Sequence, residues 1–386
     1  MNIALFIEAY HPYVNGVITH VSMLKESLTK MGHNVLIVTA DPNLRHHKLE
    51  NGVVYCPAVK MKKIYGYGLA SPKSRTRDKY LRAFKPDIIH IHNEFGVSLF
   101  GVQTAKKLGI PVIYTLHTMY DDYFHYVIRG RIQKVAKNIF YKYIHYIASN
   151  SDVLISPSAK AIDFFAECGI KKHVDVIPNA IDTATFNYCN FNKDELLKLR
   201  NDMNIPQDAL LGVFVGRLGA EKSIDYLLNV FAKNFKDNDK YHLLIVGDGP
   251  DAEALRTMAN DLGLDKTVHF AGKLDHSQIP LCYSAGDYYV SASLTEMMSI
   301  SMLEAMAVGL PAVVRFDEKN KTQVKDGKTG FIFKTEDEMA EIIKKLGSYS
   351  ESELEEFKRS IREIMQEQGP DQLAKRILDI YIGATK

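Results

Sequence analysis

The chain reads as an α/β protein built from two doubly wound, mostly parallel sheets. Three observations predict this. Short apolar runs alternate with helix-period segments along most of the chain. The runs are apolar throughout, as strands covered by helices on both faces must be. A length of 386 residues is long for one core, so two domains are expected.

The elements follow in order. Residues 3–7 form the first strand, then comes a loop to Asn15-Gly16 and a helix through residues 24–30. Further strands are expected at 34–39, 87–92, 112–116 and 152–156, with helices between them such as 99–108. A second series begins near residue 210, with a strand at 211–215, a helix at 223–231 and a strand at 242–246. That strand ends in the turn Gly247-Asp-Gly-Pro250. A helix at 251–262, a strand through Val268 and His269, a strand at 288–292 and another from Val313 complete the series. The expected domains are 1–185 and 186–370, with a hinge near 177–182. A tail helix at about 371–386 has a return to the first domain open to it.

Composition narrows the function. Hydrophobic residues at 46% and charged residues at 24% are ordinary globular values. Cys56, Cys168, Cys189 and Cys282 are scattered without CxxC spacing, as in a reduced, cytosolic protein. The opening MNIALFIEAY reads as a strand and not a signal peptide, and no apolar run reaches membrane-span length. The net charge of +2 conceals a division. Residues 1–175 carry roughly +10 and the remainder roughly −8. A basic half suits an anionic partner. No zinc knuckle, RNP motif or helix-turn-helix pattern supports nucleic acid, which leaves an anionic membrane surface.

Every chemical motif sits at the carboxyl end of an expected strand, where open α/β sheets bind ligands. Residues 296–317, EMMSISMLEAMAVGLPAVVRFD, place Glu296 in a loop and Glu304 about a turn into a helix. That helix start suits a diphosphate, and the two carboxylates suit sugar and ribose hydroxyls. A plain strand–helix crossover with incidental glutamates is the alternative. Arg217 and Lys222 follow another strand, with Lys222 expected at a helix start, where a cation is unfavourable unless an anion binds. A solvated turn beside Glu221 is the alternative. Gly247 and Gly16 lie in turns that let backbone approach a ligand. The chain has neither a GxGxxG fingerprint nor a P-loop.

His90, His92 and His117 stand at strand ends. His90 and His92 have i, i+2 spacing, but no third ligand has convincing spacing, so no metal is expected. His117 is read either as a residue positioning a sugar hydroxyl or as a structural histidine. Residues 123–147 interleave Arg129, Arg131, Lys134, Lys137 and Lys142 with aromatic and aliphatic residues. That pattern fits an interfacial membrane helix or, alternatively, a helix with its aromatic face in the core. A second basic cluster runs from Lys60 to Lys79.

Together these motifs resemble the family 4 retaining glycosyltransferases of the GT-B fold, over nearly the whole chain. The E-x7-E element is matched by Glu296 and Glu304, GR-x4-K by Gly216, Arg217 and Lys222, and the junction stretch by Pro178-Asn-Ala-Ile-Asp182. The run His117-Thr-Met-Tyr120-Asp-Asp-Tyr-Phe-His-Tyr126 is similar to one in bacterial diacylglycerol glucosyltransferases. The resemblance implies that Arg217 and Lys222 hold the donor diphosphate, Glu304 the ribose and Glu296 the donor sugar. It implies backbone contacts at Ser299, Ile300, Ser301 and Met302, Gly16 along the pyrophosphate, Gly247 nearby, Lys273 at the base and His117 by the sugar. Tyr120, Tyr126 and the five cations of 129–142 are expected to meet a membrane lipid acceptor. The implied donor is a UDP-hexose, UDP-glucose in the first place, with no cofactor and no metal. The expected location is cytoplasmic, peripheral on the inner face of the membrane. Ser299, Asn15 and Ala180 stand where many members have glycine, and Met297 and Met298 are unusual beside the sugar; these departures bear on donor identity.

Overall fold

The computed structural model describes residues 1–13, 15–61, 68–118, 131–294, 298–317 and 323–386, with the backbone alone for 131–136. The chain divides into unit 1, Met1–Ala180 with Pro370–Lys386, and unit 2, Ile181–Gly369. The division falls at Ala180/Ile181 and not after residue 185. Burial explains the position: Ile177 and Ala180 sit in the core of unit 1, whereas Ile181 and Phe186 sit in the core of unit 2.

Unit 1 runs β1 (Asn2–Phe6), α1 (Gly16–Lys30), β2 (Asn34–Asp41), β3 (Lys48–Glu50), β4 (Val53–Lys60), β5 (Gly68–Ala70), α2 (Arg75–Phe84), β6 (Ile88–Ile91), α3 (Gly96–Leu108), β7 (Val112–Thr115), α4 (Arg131–Ser149), β8 (Val153–Ser156), α5 (Lys160–Glu167) and β9 (Val174–Val176). The strand order is β3-β4-β2-β1-β6-β7-β8-β9, with β5 on β4. Only β3 and β5 pair antiparallel among the described residues. The chain winds outward from β1 in both directions, so its switch point lies between β1 and β6, where Leu5 is flanked by Ile37 and His90.

Unit 2 runs α6 (Lys193–Asp202), β10 (Leu210–Val215), α7 (Ile224–Asn234), β11 (Tyr241–Val246), α8 (Ala252–Asp261), β12 (Val268–Gly272), α9 (Ile279–Ser284), β13 (Tyr288–Ser291), α10 (Ile300–Val308), β14 (Ala312–Arg315), β15 (Gly330–Phe333), α11 (Glu336–Ser348) and α12 (Glu351–Gln366). Its sheet is parallel with the order β12-β11-β10-β13-β14-β15. Numbered within the unit, that is 3-2-1-4-5-6, with its switch point between β10 and β13.

The last helix, α13 (Pro370–Ala384), belongs to unit 1. Its Leu373, Ile377 and Tyr381 are buried with Leu24 and Leu28 of α1. Ser27 adds a 2.7 Å hydrogen bond to Asp371. In unit 2, Asp287 anchors the start of β13. It accepts from Arg200 at 2.8 Å, from Lys358 at 2.9 Å and from the Leu211 N–H at 2.9 Å. Burial alone would raise its carboxyl, but Lys358 and Arg200 outweigh it and hold the group below the usual carboxylate range.

Candidate functional site

Arg217, Lys222, Gly247, Lys273, Ser299, Ile300, Ser301, Met302 and Glu304 all belong to unit 2, in or beside the segments that follow β10, β11, β12 and β13. Arg217 lies just past β10 and pairs with Glu221. Lys222 ends a short 3-10 turn, Ala220–Lys222, and does not open a helix. Ser223, at φ +51°, separates it from α7, which begins at Ile224. The next loop, past β13, is joined to this one through Ser293, whose hydroxyl donates to the Glu221 carbonyl at 3.1 Å. Glu296 lies outside the described residues.

The turns of the neighbouring strands close on the same loop. Leu218 N–H donates to Asp248 O at 3.0 Å, and Asp251 N–H donates to Leu218 O at 3.1 Å. Gly247 has φ +138°, and a Cβ there would stand 1.9 Å from the Gly216 carbonyl oxygen. Only glycine permits that approach. Gly247 N–H donates to Gly272 O at 2.8 Å, which brings the segment before Lys273 alongside. Lys273 itself is exposed.

α10 supplies the helix start. Ser299 caps it, accepting from Met302 N–H at 3.4 Å and lying 2.9 Å from the Ser301 hydroxyl. Ile300, Ser301 and Met302 form the first turn, where the helix carries its partial positive charge. Ser299 and Met302 line a pocket with Tyr289, Ser291, Ser293 and Arg315. Glu304 is buried one turn on, and burial pushes its carboxyl up to about 8 against a 3.5 Å hydrogen bond from Tyr283. Sequence reading missed Tyr283 and Ser293; neither lies in a motif of its own.

Unit 1 carries the other expected residues. Gly16 is the first residue of α1, which Asn15 caps by accepting from Ile18 N–H at 3.0 Å. His117 lies past β7, with its Nε2 3.1 Å from His92 Nδ1. His20, which the sequence reading passed over, joins them from α1, and its Nδ1 lies 3.1 Å from Asn179 Oδ1. The three offer ring nitrogens within 4.8 Å of one another, so the third imidazole that spacing failed to supply comes from a helix. Burial lowers all three, His20 to about 4. They are therefore neutral at pH 7. Glu8, two residues past β1, accepts from Ala70 and Val97 N–H at 2.8 and 2.9 Å. Burial pushes Glu8 up to about 7. An acid closing an apolar strand was the available signal for it.

Of the membrane residues, Tyr120, Tyr126 and Arg129 lie outside the described residues, as do the side chains of Arg131 and Lys134 on α4. Lys137 sits 4.9 Å over the Tyr141 ring and Lys142 is exposed. Ile144, Ile147 and Ala148 of α4 are buried, while Ile139 is 65% and Tyr146 42% exposed. Residues 139, 142 and 146 share one outward stripe. Val59 and Leu69, opposite each other on β4 and β5, are exposed too. Among the described residues no helix is long and apolar enough to cross a membrane.

Known proteins place this architecture. Residues 14–185 match the model of Glycosyltransferase Family 4 and residues 197–370 that of Glycosyl transferases group 1. The chain is 31% identical to an alpha-monoglucosyldiacylglycerol synthase of Acholeplasma laidlawii, over 88% of this chain and 86% of that one. It is 29% identical to the alpha-monoglucosyldiacylglycerol synthase of Streptococcus pneumoniae, over 100% and 86%. Among solved structures, Anabaena HepE in complex with UDP superposes with a TM-score of 0.76 at 17% identity, covering 99% of this chain and 100% of that one. Sucrose-phosphate synthase from Thermosynechococcus elongatus gives 0.74 at 18%, covering 99% and 98%. With two family models end to end and a relative above 30% identity aligned along most of both chains, the chain belongs to glycosyltransferase family 4 and has the GT-B fold.

Proposed function

We propose that this glycosyltransferase moves a hexose from a UDP-hexose, UDP-glucose in the first place, onto a membrane glycerolipid such as diacylglycerol or monoglycosyl-diacylglycerol. The observation that carries the reading is the identity to two alpha-monoglucosyldiacylglycerol synthases, spread along the whole chain. The donor supports itself on named groups. Arg217 and Lys222 neutralise the diphosphate, and the start of α10 adds its partial charge. Glu304 takes the ribose hydroxyls and Glu296 those of the sugar. His117 positions the transferred sugar.

On this reading the anomeric configuration is retained. The sugar–phosphate bond breaks toward the diphosphate, whose growing charge the cations stabilise, and the acceptor hydroxyl enters from the same face. No metal is needed for that step. The chain works peripherally at an anionic membrane surface, with Lys137, Lys142, Ile139 and Tyr146 of α4 in support of it. The test is a donor screen by product mass spectrometry, with UDP-glucose, UDP-galactose and GDP-mannose offered over vesicles of diacylglycerol or monoglycosyl-diacylglycerol. A glucosylated lipid from UDP-glucose is expected. Product formed only on a water-soluble saccharide, or hydrolysis without lipid product, overturns the acceptor.

A further inference from the structure

Tyr283 of α9 is fully buried in the core of unit 2, yet its hydroxyl reaches the first turns of α10. Its ring packs against Phe186 and Tyr289, with centroids 6.2 and 6.5 Å away. Close packing holds the ring, so the phenol oxygen is a fixed point and only its O–H turns. That oxygen donates to the Ser301 carbonyl at 2.9 Å and lies 3.5 Å from Glu304 Oε2. Tyr289 meets the same turn from β13, its Oη 3.2 Å from Ser301 Oγ.

The two contacts of Tyr283 compete for one proton. A phenol donates once, and burial keeps the proton on by raising Tyr283 well above its ordinary 10.0. While Glu304 is protonated, the shorter contact to Ser301 takes the Tyr283 proton. An ionised Glu304 changes the balance, because a buried carboxylate without donors is costly. Among the described residues, Tyr283 is the one side chain that hydrogen-bonds Glu304.

We propose that Tyr283 is a positioning residue for the donor nucleotide: its hydroxyl turns from the Ser301 carbonyl to the Glu304 carboxylate and holds it for the ribose diol. The inference rests on the reading in which Glu304 takes the ribose hydroxyls. Tyr283 stays away from the reacting atoms, so its share lies in nucleotide affinity and not in the transfer step. An ionised carboxylate offers about four lone-pair sites. Tyr283 fills one from the core side and leaves the others for the two hydroxyls. A hydrogen bond to a charged group is worth roughly 10- to 100-fold in binding. Turning gives up the Ser301 contact, so the low end of that range, about tenfold, is expected here.

The experiment measures binding of UDP and of 2′,3′-dideoxy-UDP to the full chain by calorimetry, with no acceptor present. The identity of the acceptor therefore has no bearing on the result. Tyr283→Phe removes one oxygen and keeps the ring that fills the core. It should weaken UDP by about tenfold and leave dideoxy-UDP within about twofold of the parent. With Glu304→Ala already in place, Tyr283→Phe should cost UDP less than about twofold, because the pair acts as one unit. In transfer assays the donor KM should rise by about tenfold while kcat holds within about twofold. Tyr288→Phe is the control. Tyr288 is fully buried on β13 and its hydroxyl has no partner among the described residues, so both ligands should bind as they do to the parent. Circular dichroism checks that each variant is folded. A parent that binds both ligands equally, or a Glu304→Ala variant that keeps their ratio, overturns the ribose reading and the inference together. A ratio that collapses in Glu304→Ala and survives in Tyr283→Phe overturns the role of Tyr283 alone. Equal loss of both ligands in Tyr283→Phe also overturns that role, and leaves Tyr283 as a core aromatic.

Discussion

Ser293 donates a 3.1 Å hydrogen bond to the backbone carbonyl of Glu221. The contact ties the loop past β13 to the loop past β10, across the point where the strand order of unit 2 reverses. Glu221 in turn holds Arg217. The loop that carries Arg217 is therefore fixed to its neighbour; if it carries the donor diphosphate as proposed, its charge is preorganised for the transition state.

The first prediction concerns Lys222. If its charge acts on the departing diphosphate, Lys222→Ala lowers kcat by about 10²–10³-fold. KM for the donor should change far less, because the charge matters more as the bond breaks. Steady-state rates over a range of donor concentrations check this. An unchanged kcat in a folded variant removes the role.

Glu304 gives a second prediction through its proton. Its carboxyl, raised to about 8 by burial, is protonated in the free protein at pH 7. Ribose hydroxyls donate to the ionised form, so UDP binding should expel up to about one proton per chain. Calorimetry in buffers of different ionisation enthalpy measures it, and Glu304→Gln should abolish the release. The sign for stability follows. An acid raised in the fold loses stability as pH climbs from its unfolded value near 4.5 to about 8. The Gln variant should flatten that slope in urea unfolding.

Much of this was legible in the sequence because the signals are local. Alternating apolar runs disclosed both sheets, and GR-x4-K named the residues past β10. What escaped was set by distant packing. Lys222 reads as a helix start, but the left-handed Ser223 ends the turn and delays α7 to Ile224. His20 sits on a helix with ordinary spacing, and only the order β1-β6-β7 brings it to His92 and His117. The division at Ala180/Ile181 depends on which core buries each side chain, which no linker composition announces.

Asp287 supports a stability prediction independent of any ligand. Removing one partner of a buried ionic network leaves the others uncompensated, so Asp287→Asn should cost about 3–5 kcal/mol in urea unfolding. Its carboxyl is held below the ordinary 3.8. The stabilisation is therefore present above the unfolded value and lost as pH falls through the lower folded value. The acid-unfolding difference between parent and Asn variant should shrink below pH 3.8.

Chelation tests the charge assignment from another side. If Arg217, Lys222 and the start of α10 carry the diphosphate, product formation should persist in excess EDTA. A rate that falls with chelator and returns with Mg²⁺ or Mn²⁺ would show that a metal ion does that work instead.

The last prediction concerns α4. Its outward stripe combines Lys142 with Ile139 at 65% and Tyr146 at 42% exposure, while Ile144 and Ile147 face the core. The helix thus keeps a buried face and still offers apolar and basic groups to a surface. Each lysine near an anionic bilayer is worth about 1 kcal/mol, or roughly fivefold in binding, and salt screens it. Replacing Arg129, Arg131, Lys134, Lys137 and Lys142 by Gln should abolish flotation with vesicles rich in anionic lipid. Ile139→Ser should weaken the part of binding that survives high salt, because that part comes from buried apolar area. Turnover on detergent-dispersed acceptor should change little in both variants, which separates docking from chemistry. Equal flotation of the parent and the five-fold variant at low salt would return α4 to a purely structural role.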